Sequence, residues 1–253
     1  MSQTHQVAVT GDVVTKTYVD HARGEHHREW EALTALTETT PGLVPTPLRR
    51  TGDPSITMTR LPGSPLGGSL TEQQLDALER ALHELWSARP AGLRPISLTG
   101  VIQRITSAVS SWTGGGVLGE ANAVAGEWLP RAEVLVRPAD PVVGHGDPNL
   151  ANYLWDGQRI RIVDFEDAGL SDRAVELANL VEHLASRQTD WTKFADRFAV
   201  DRERYAIARV LWATFWLTLI RPGGPSADRN PPGTAEAQAE RVLTLIRQEE
   251  GGG

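Results

Sequence analysis

Residues 142–169 read VVGHGDPNLANYLWDGQRIRIVDFEDAG, a compact non-helical segment set between stretches of helical periodicity. Asp-Gly at 156–157 lies between two apolar runs, a pattern that predicts a β-hairpin with a two-residue turn. Such a turn would pair Asn152 with Arg161. Asp164 leaves the second strand at the same open end, and the rise per residue puts it roughly 10 Å beyond Arg161. We therefore expect the chain to curl back there.

Three side chains near the open end of this hairpin carry oxygen ligands: Asp147, Asn152 and Asp164. Oxygen ligands of this kind suit Mg²⁺, which takes one or two carboxylates together with substrate phosphates. A separate carboxylate can orient a hydroxyl group and take its proton. Phosphoryl transfer needs both of these features, so the segment indicates that chemistry. The alternative interpretation is that Asp147, which precedes a proline, is only a turn residue.

The same segment resembles the catalytic and metal-binding loops of the aminoglycoside phosphotransferase family, which includes choline and homoserine kinases and is distantly similar to protein kinases. The matching residues are HGD at 145–147, Asn152 five residues after the aspartate, and VDFE at 163–166. Gly169 and Asp172 continue the pattern in order. The resemblance implies an α+β, two-lobed protein-kinase-like fold, with a small β-rich N-lobe and a larger, mostly helical C-lobe.

The resemblance also implies a role for each matching residue. Asp147 would be the catalytic base that aligns the acceptor hydroxyl, and Asn152 and Asp164 would hold Mg²⁺. His145 would brace the loop by hydrogen bonds, and Asp172 would support the structure at the N-cap of the next helix.

Lys16 lies in the second strand of a hairpin predicted over residues 5–19. The resemblance implies that a lysine here neutralises nucleotide phosphates and is held by an acid on the following helix. We expect Glu29 to be that acid, with Glu31 as the alternative and Glu25 less favoured. An exposed lysine on an edge strand is the other interpretation of Lys16.

The N-lobe is expected to be truncated, because only 15 residues precede Lys16. They leave room for one strand where the family usually has two to cover the phosphates. Residues 56–63 resemble the family's hinge, whose backbone would bind the purine edge. Within it we expect Met58 and Arg60 to contact the nucleotide, although Met58 is equally compatible with the core.

The Gly/Pro-rich segment 61–68 is the clearest linker in the chain. It divides a nucleotide-binding lobe at 1–61 from a helical lobe at 62–253 that carries the catalytic loop and the acceptor pocket. Extended pieces are predicted at 43–50 and 55–61 around a turn at 52–54. Helices are predicted at about 21–38, 71–88, 99–112, 118–136, 173–187, 190–199, 201–220 and 235–249.

Composition excludes several classes of protein. The 253 residues (27.6 kDa) include no cysteine, which excludes disulfide scaffolds, thiol nucleophiles and zinc–thiolate sites. A net charge of −7 argues against a nucleic-acid partner. The N-terminus lacks a signal-peptide pattern, and the most apolar run, 210–220, is too short to cross a bilayer. We therefore expect a cytoplasmic protein without a membrane partner.

Charge and aromatic residues suggest where the acceptor binds. Residues 140–190 hold ten acidic and four basic side chains, a field that would attract Mg²⁺ and a cationic acceptor. Capping and solvation of helices explain the same charges equally well. The candidates for an apolar pocket wall are Trp191, Trp212, Phe215 and Trp216, although the 3–4 spacing of the last three favours core packing.

The sequence thus predicts a Mg²⁺-dependent phosphotransferase that moves the γ-phosphate of ATP or GTP to an alcohol group of a small molecule. The chain has 25 basic residues, of which only Lys16 and Lys193 are lysines, and this bias suggests a high-GC bacterium. An antibiotic of aminoglycoside, peptide or nucleoside type is then the expected acceptor, and the enzyme would act as a monomer or homodimer. The alternatives are a metabolic kinase of an amino alcohol or sugar, a non-catalytic pseudokinase, and a hydrolase whose metal is held by His145, Asp147 and Asp164.

Overall fold

The computed structural model describes residues 5–19, 24–50 and 54–251. Its N-terminal part is a four-stranded antiparallel sheet in the order β1-β2-β4-β3. The first two strands form the predicted hairpin, which turns at Gly11 with φ +59°. Gly52 and Asp53 of the predicted 52–54 turn lie outside the described residues. The strands are β1 (His5–Thr10), β2 (Val13–Tyr18), β3 (Pro47–Arg50) and β4 (Ser55–Thr59).

Helix α1 (Glu25–Thr37) contributes one buried face to the N-terminal core. Glu29, Leu33 and Leu36 recur at helical spacing on this face, and all three are buried. The start predicted near His21 lies outside the described residues. An acidic side chain is therefore placed inside an apolar face, where a charge needs a partner.

The C-terminal part consists mainly of helices around one apolar core. Helix α2 starts with a capping box in which Thr71 and Gln74 satisfy each other's backbone N–H groups. No helix of the described residues is both long and apolar enough to cross a membrane. The helices are α2 (Glu72–Ser87), α3 (Leu98–Ser111), α4 (Gly116–Trp128), α5 (Arg173–Glu182), α6 (Arg202–Ile220) and α7 (Thr234–Gly251).

Three predicted helices end earlier than expected or do not form. The 118–136 helix becomes 3₁₀ over Leu129–Val136, where Pro130 lacks the N–H that an α-helix would use. The 173–187 helix stops at His183, whose ψ of 140° is extended. The prediction for 190–199 is wrong, because only a 3₁₀ turn at Ala195–Arg197 forms and neighbouring bonds are also of the i→i−3 type.

The 142–169 segment forms short strands as predicted, but the register of its hairpin differs. Trp155 pairs with Ile160, so residues 156–159 form a four-residue loop. Asp156 Oδ1 stabilises this loop because it accepts hydrogen bonds from the backbone N of Gln158 and of Arg159. The predicted Asn152–Arg161 pair is therefore wrong. Strand β7 pairs with β5 and β8, and strand β6 pairs with β9. The remaining strands of the described residues are β5 (Ser64–Pro65), which precedes this segment, and β6 (Pro141–Gly144), β7 (Tyr153–Trp155), β8 (Ile160–Ile162) and β9 (Gly169–Asp172).

The shifted register has a direct consequence for the candidate site. Asn152 O accepts a hydrogen bond of 2.9 Å from Val163 N. Asp164 follows immediately, so the strand pairing itself brings it next to Asn152, and the chain does not have to curl back as expected.

Candidate active site

Lys16 of β2 is the centre of a cluster that joins the N-terminal sheet to the 142–169 segment. Its Nζ donates to Glu29 Oε2 at 2.8 Å, to Glu166 Oε2 at 2.7 Å and to Asp164 Oδ1. Burial alone would lower the pKa of Lys16, but the three carboxylates hold it well above its ordinary value. Lys16 is therefore a fixed cation that side chains more than a hundred residues apart share.

The local structure explains why Lys16 and Glu29 meet. Strand alternation puts Lys16 and Tyr18 on the same buried face of β2. Tyr18 Oη donates to Glu29 Oε2, and Phe165 N donates to Glu29 Oε1 at 3.1 Å. Both carboxylate oxygens of Glu29 are thus engaged, which holds the side chain at one position under the lysine.

Asp164 has the only positive φ among the described non-glycine residues, at +72°. Such a conformation costs free energy, and aspartate adopts it mainly in turns and at active sites. The side chain is 36% exposed, and Oδ1 contacts Lys16. The backbone conformation and the contact with Lys16 therefore fix the position of this partly exposed carboxylate.

The donor set beside Asp164 fits Mg²⁺. Asn152 uses Nδ2 to donate to Asp147 O at 3.0 Å, which orients the amide and leaves Oδ1 as its acceptor atom. One carboxylate and one amide oxygen, with no nitrogen or sulfur ligand, are what this hard cation prefers. Asn152 and Asp164 could hold it together with phosphate oxygens.

Asp147 lies at the C-terminal side of the HGD turn and is about half exposed (47%). Its Oδ1 is 3.5 Å from Nε2 of His183. Burial would raise the pKa of Asp147, but the contact with His183 and the nearby His145 keep that pKa below its ordinary value. The carboxylate is therefore ionised at neutral pH and free to accept a hydrogen bond.

His145 is buried and joins the two halves of the segment. Its Nε2 lies 2.8 Å from Val163 O, and its backbone N donates to Glu176 Oε2 at 2.9 Å. The next residue must be glycine, because Gly146 has φ +84° and a Cβ there would lie 2.4 Å from Asp167 O. The loop that carries Asp147 is consequently rigid.

Asp172 occupies the N-cap of α5 and is 1% exposed. Its carboxylate accepts from the backbone N–H groups of Ala139, Asp140 and Ala174, and from Arg204 Nη2 at 3.1 Å. It ties three segments of the chain together.

The two hinge residues have different environments. Met58 is in the middle of β4 and is buried in the apolar core. Arg60 is exposed, and its backbone N donates to Asp12 O at 2.8 Å. Contact of either residue with a nucleotide stays a prediction.

A cavity of about 850 Å³ opens on the other side of Asp147, between α3 and α6. Trp212, Phe215 and Trp216 form one of its walls. Trp191 was a candidate for the same wall, but it lines a different cavity. The volume is within the range of cavities that bind drug-sized molecules.

Sequence reasoning left the role of Glu166 undecided, and the structure places its carboxylate on Lys16. The sequence analysis also assigned no role to three polar residues behind the loop that carries Asp147. Glu176, Asn179 and His183 are all buried and face this loop. Their spacing of three and four residues along a buried helix was the available signal, since polar side chains on such a face need partners.

Comparison with known proteins agrees with this geometry. The model of the phosphotransferase enzyme family (APH) matches residues 3–212, and the chain belongs to this family. No functionally curated protein matches the chain significantly.

Solved structures with the same fold include kinases of two kinds. A choline/ethanolamine kinase family protein from Mesorhizobium loti is 19% identical, with a TM-score of 0.67 over 99% of this chain and 87% of that one. Choline kinase LicA from Streptococcus pneumoniae is 15% identical, with a TM-score of 0.65 over 98% and 91%. The GDP and kanamycin complex of APH(2")-IIIa is 21% identical, with a TM-score of 0.68 over 100% and 91%. The protein therefore has the two-lobed, protein-kinase-like α+β fold.

Proposed function

We propose that the protein transfers the γ-phosphate of ATP or GTP to a hydroxyl group of a small molecule, and that this acceptor is an antibiotic of aminoglycoside, peptide or nucleoside type. The nucleotide would bind between the lobes 1–61 and 62–253, and the acceptor in the cavity beside Asp147. The observation that carries the proposal is the contact between Lys16 and Asp164, together with a second carboxylate, that of Asp147, which lines the cavity.

Each residue has a distinct task in this reaction. Lys16, held by Glu29, would neutralise phosphate charge on the nucleotide. Asp147 would accept a hydrogen bond from the acceptor hydroxyl, orient its oxygen toward the γ-phosphate and take its proton. Mg²⁺, when held by Asn152 and Asp164, would supply charge neutralisation across the phosphates.

The fold supports the donor assignment. Solved relatives of the same fold were crystallised with GDP, ADP or AMP. Two solved structures of this fold contain kanamycin or gentamicin, which supports an antibiotic as the acceptor class. A resistance role follows if phosphorylation inactivates that antibiotic.

The test is release of nucleoside diphosphate with ATP or GTP and Mg²⁺ against a panel of hydroxylated antibiotics. Asp147→Ala should lower turnover by at least about a hundredfold while nucleotide binding is retained. Asp228→Ala removes an exposed aspartate elsewhere and is the matched control. Wild-type turnover in Asp147→Ala, or no nucleotide binding by the wild type, would refute the proposal.

A further inference from the structure

The acceptor cavity contains charges that the proposed reaction does not use. Four charged side chains line it: Arg94, Arg104, Asp147 and Asp167. Asp147 faces His183, and Asp167 Oδ1 is 3.5 Å from Nη2 of Arg28. Within 5–19, 24–50 and 54–251, neither Arg94 nor Arg104 makes a side-chain hydrogen bond or an ion pair. Arg28 offsets the charge of Asp167, which also attracts Arg94, so the two lining arginines have one further carboxylate beside them, Asp147.

Both arginines project from well-defined backbone. Arg104 is on the face of α3 that also presents Gly100 and Ser107 to the cavity, and the N-cap residue Ser97 lines it as well. Gly100 leaves room at this face because it has no side chain. Arg94 precedes this helix, and Leu170 N donates to its carbonyl oxygen at 2.8 Å. Both arginines thus line the same cavity.

Two buried polar atoms in the lining also have no partner among the described residues. Asn179 is only 2% exposed, and its Nδ2 donates to Gly146 O at 3.4 Å, which leaves Oδ1 without a hydrogen bond. Nε1 of Trp216 has none either. Buried polar atoms are nearly always paired, so these two indicate a polar ligand or water beside Asp147.

We propose that the acceptor carries an anionic group, a carboxylate or a phosphate, which Arg94 and Arg104 bind while Asp147 receives the hydroxyl. The inference rests on the proposed function, since it names the acceptor class of the same site. Guanidinium groups bind both anions through paired N–H donors. Two arginines in this lining disfavour an acceptor that carries only positive charge. Among the antibiotic types proposed above, the inference therefore favours a peptide or nucleoside with an anionic group over an aminoglycoside.

The acidic excess of residues 140–190 does not oppose this assignment. Most of those carboxylates are used within the protein: Asp172 binds Arg204, Glu182 binds Arg209 and Arg241, and Glu176 binds the backbone at His145. Only Asp147 and Asp167 of that region reach the cavity wall. The cavity is thus much less acidic than the sequence of the region suggests.

Matched acceptors test the proposal. Glycerate and glycerol 3-phosphate carry a carboxylate or a phosphate in place of one alcohol group of glycerol. N-benzoylserine carries a carboxylate in place of one alcohol group of N-benzoylserinol. Kanamycin and choline represent cationic acceptors. Steady-state release of nucleoside diphosphate and calorimetric binding are measured for each compound. The anionic member of each set should have the lower KM and Kd, and the glycerate and glycerol 3-phosphate arms distinguish carboxylate from phosphate.

Variants connect that preference to the arginines. Arg104→Ala and Arg94→Ala should each raise the acceptor KM by about tenfold or more and leave the nucleotide KM unchanged. Arg80→Ala, which removes an exposed arginine of α2 away from the cavity, should change neither. A higher KM for the nucleotide with no effect on the acceptor would overturn the inference.

Failure of this inference is separable from failure of the proposed function. Phosphorylation of kanamycin, choline or an uncharged compound that depends on Asp147 but not on Arg104 would overturn the anionic acceptor alone. Absence of nucleotide binding would overturn the proposed function, and this inference with it.

Discussion

Asp147 and His183 face each other, with Oδ1 of the carboxylate 3.5 Å from Nε2 of the ring. Ala185 N donates to His183 Nδ1 at 3.0 Å, so the proton of the neutral imidazole is on Nε2 and points at Asp147. The T-shaped contact with Trp216, at 4.4 Å between ring centres, holds the imidazole in this orientation. His183 therefore positions the proposed base.

The first prediction concerns the pH dependence that this contact creates. Burial would raise the pKa of Asp147, and the His183 contact works against it, so the pKa stays below its ordinary value. In His183→Ala the pKa should rise, and activity should be lost at a higher pH as the solution is acidified. The measurement is kcat/KM from about pH 4 to pH 8.

The control is His83→Ala, which removes a partly exposed histidine of α2. It should leave the acidic limb of the profile unchanged. Superimposable profiles for His183→Ala and the wild type would show that His183 has no influence on the base.

A second prediction follows from the burial of Lys16 and Glu29. Lys16→Met leaves the buried Glu29 carboxylate without its cation, which should lower the free energy of unfolding by about 3–5 kcal/mol. It should also raise the nucleotide KM by about tenfold or more. Urea denaturation and nucleotide titration measure the two effects.

The chain offers a matched control for this substitution. Lys193 is the only other lysine and is exposed, so Lys193→Met should change neither quantity. Lys16→Met/Glu29→Gln should regain part of the lost stability, because the uncompensated charge is removed. No recovery in the double variant would mean that the pair is not the source of the effect.

Part of the candidate site could be predicted from the sequence because its residues lie in short motifs with a fixed order and spacing. The family pattern identified Asp147, Asn152 and Asp164. The same resemblance identified Lys16 and Glu29, which the structure brings into contact. The hairpin register could not be predicted, since it depends on the side chain of Asp156 bonding to its own loop. An Asp-Gly pair favours a two-residue turn, and this competing interaction outweighs it.

Features that depend on tertiary packing could not be predicted from the sequence. Arg94 and Arg104 are ordinary exposed arginines in the chain, and only the packing of α3 against α6 puts them around one cavity. The acidic count over 140–190, on which the expectation of a cationic acceptor rested, does not reveal which carboxylates are paired within the protein. Asp172 and Glu182 illustrate this, since both are buried against arginines.

The third prediction separates metal binding from backbone conformation at Asp164. Asparagine tolerates positive φ but carries no charge, so Asp164→Asn should keep the fold and weaken Mg²⁺ binding. The Mg²⁺ concentration for half-maximal turnover should rise by about tenfold or more, and kcat should fall. Activity is measured across a Mg²⁺ titration, with Asp228→Asn as the exposed control. Identical titrations for Asp164→Asn and the wild type would contradict the assignment of this ligand.

The fourth prediction concerns Asp172, whose contacts are with backbone N–H groups and Arg204, so that we expect it to affect stability rather than catalysis. Asp172→Ala removes the N-cap of α5, the acceptor of the backbone N–H groups of Ala139 and Asp140, and the carboxylate that pairs with the buried Arg204. Loss of a buried charge partner should cost about 3 kcal/mol of unfolding free energy. Asp201→Ala removes the N-cap of α6 at an exposed position and should cost only about 1 kcal/mol. Urea denaturation gives both values, and kcat per folded molecule should stay near that of the wild type in each variant. Equal losses of stability would show that the Arg204 pair adds nothing beyond a helix cap, whereas a large fall in kcat for Asp172→Ala would give this residue a role in catalysis.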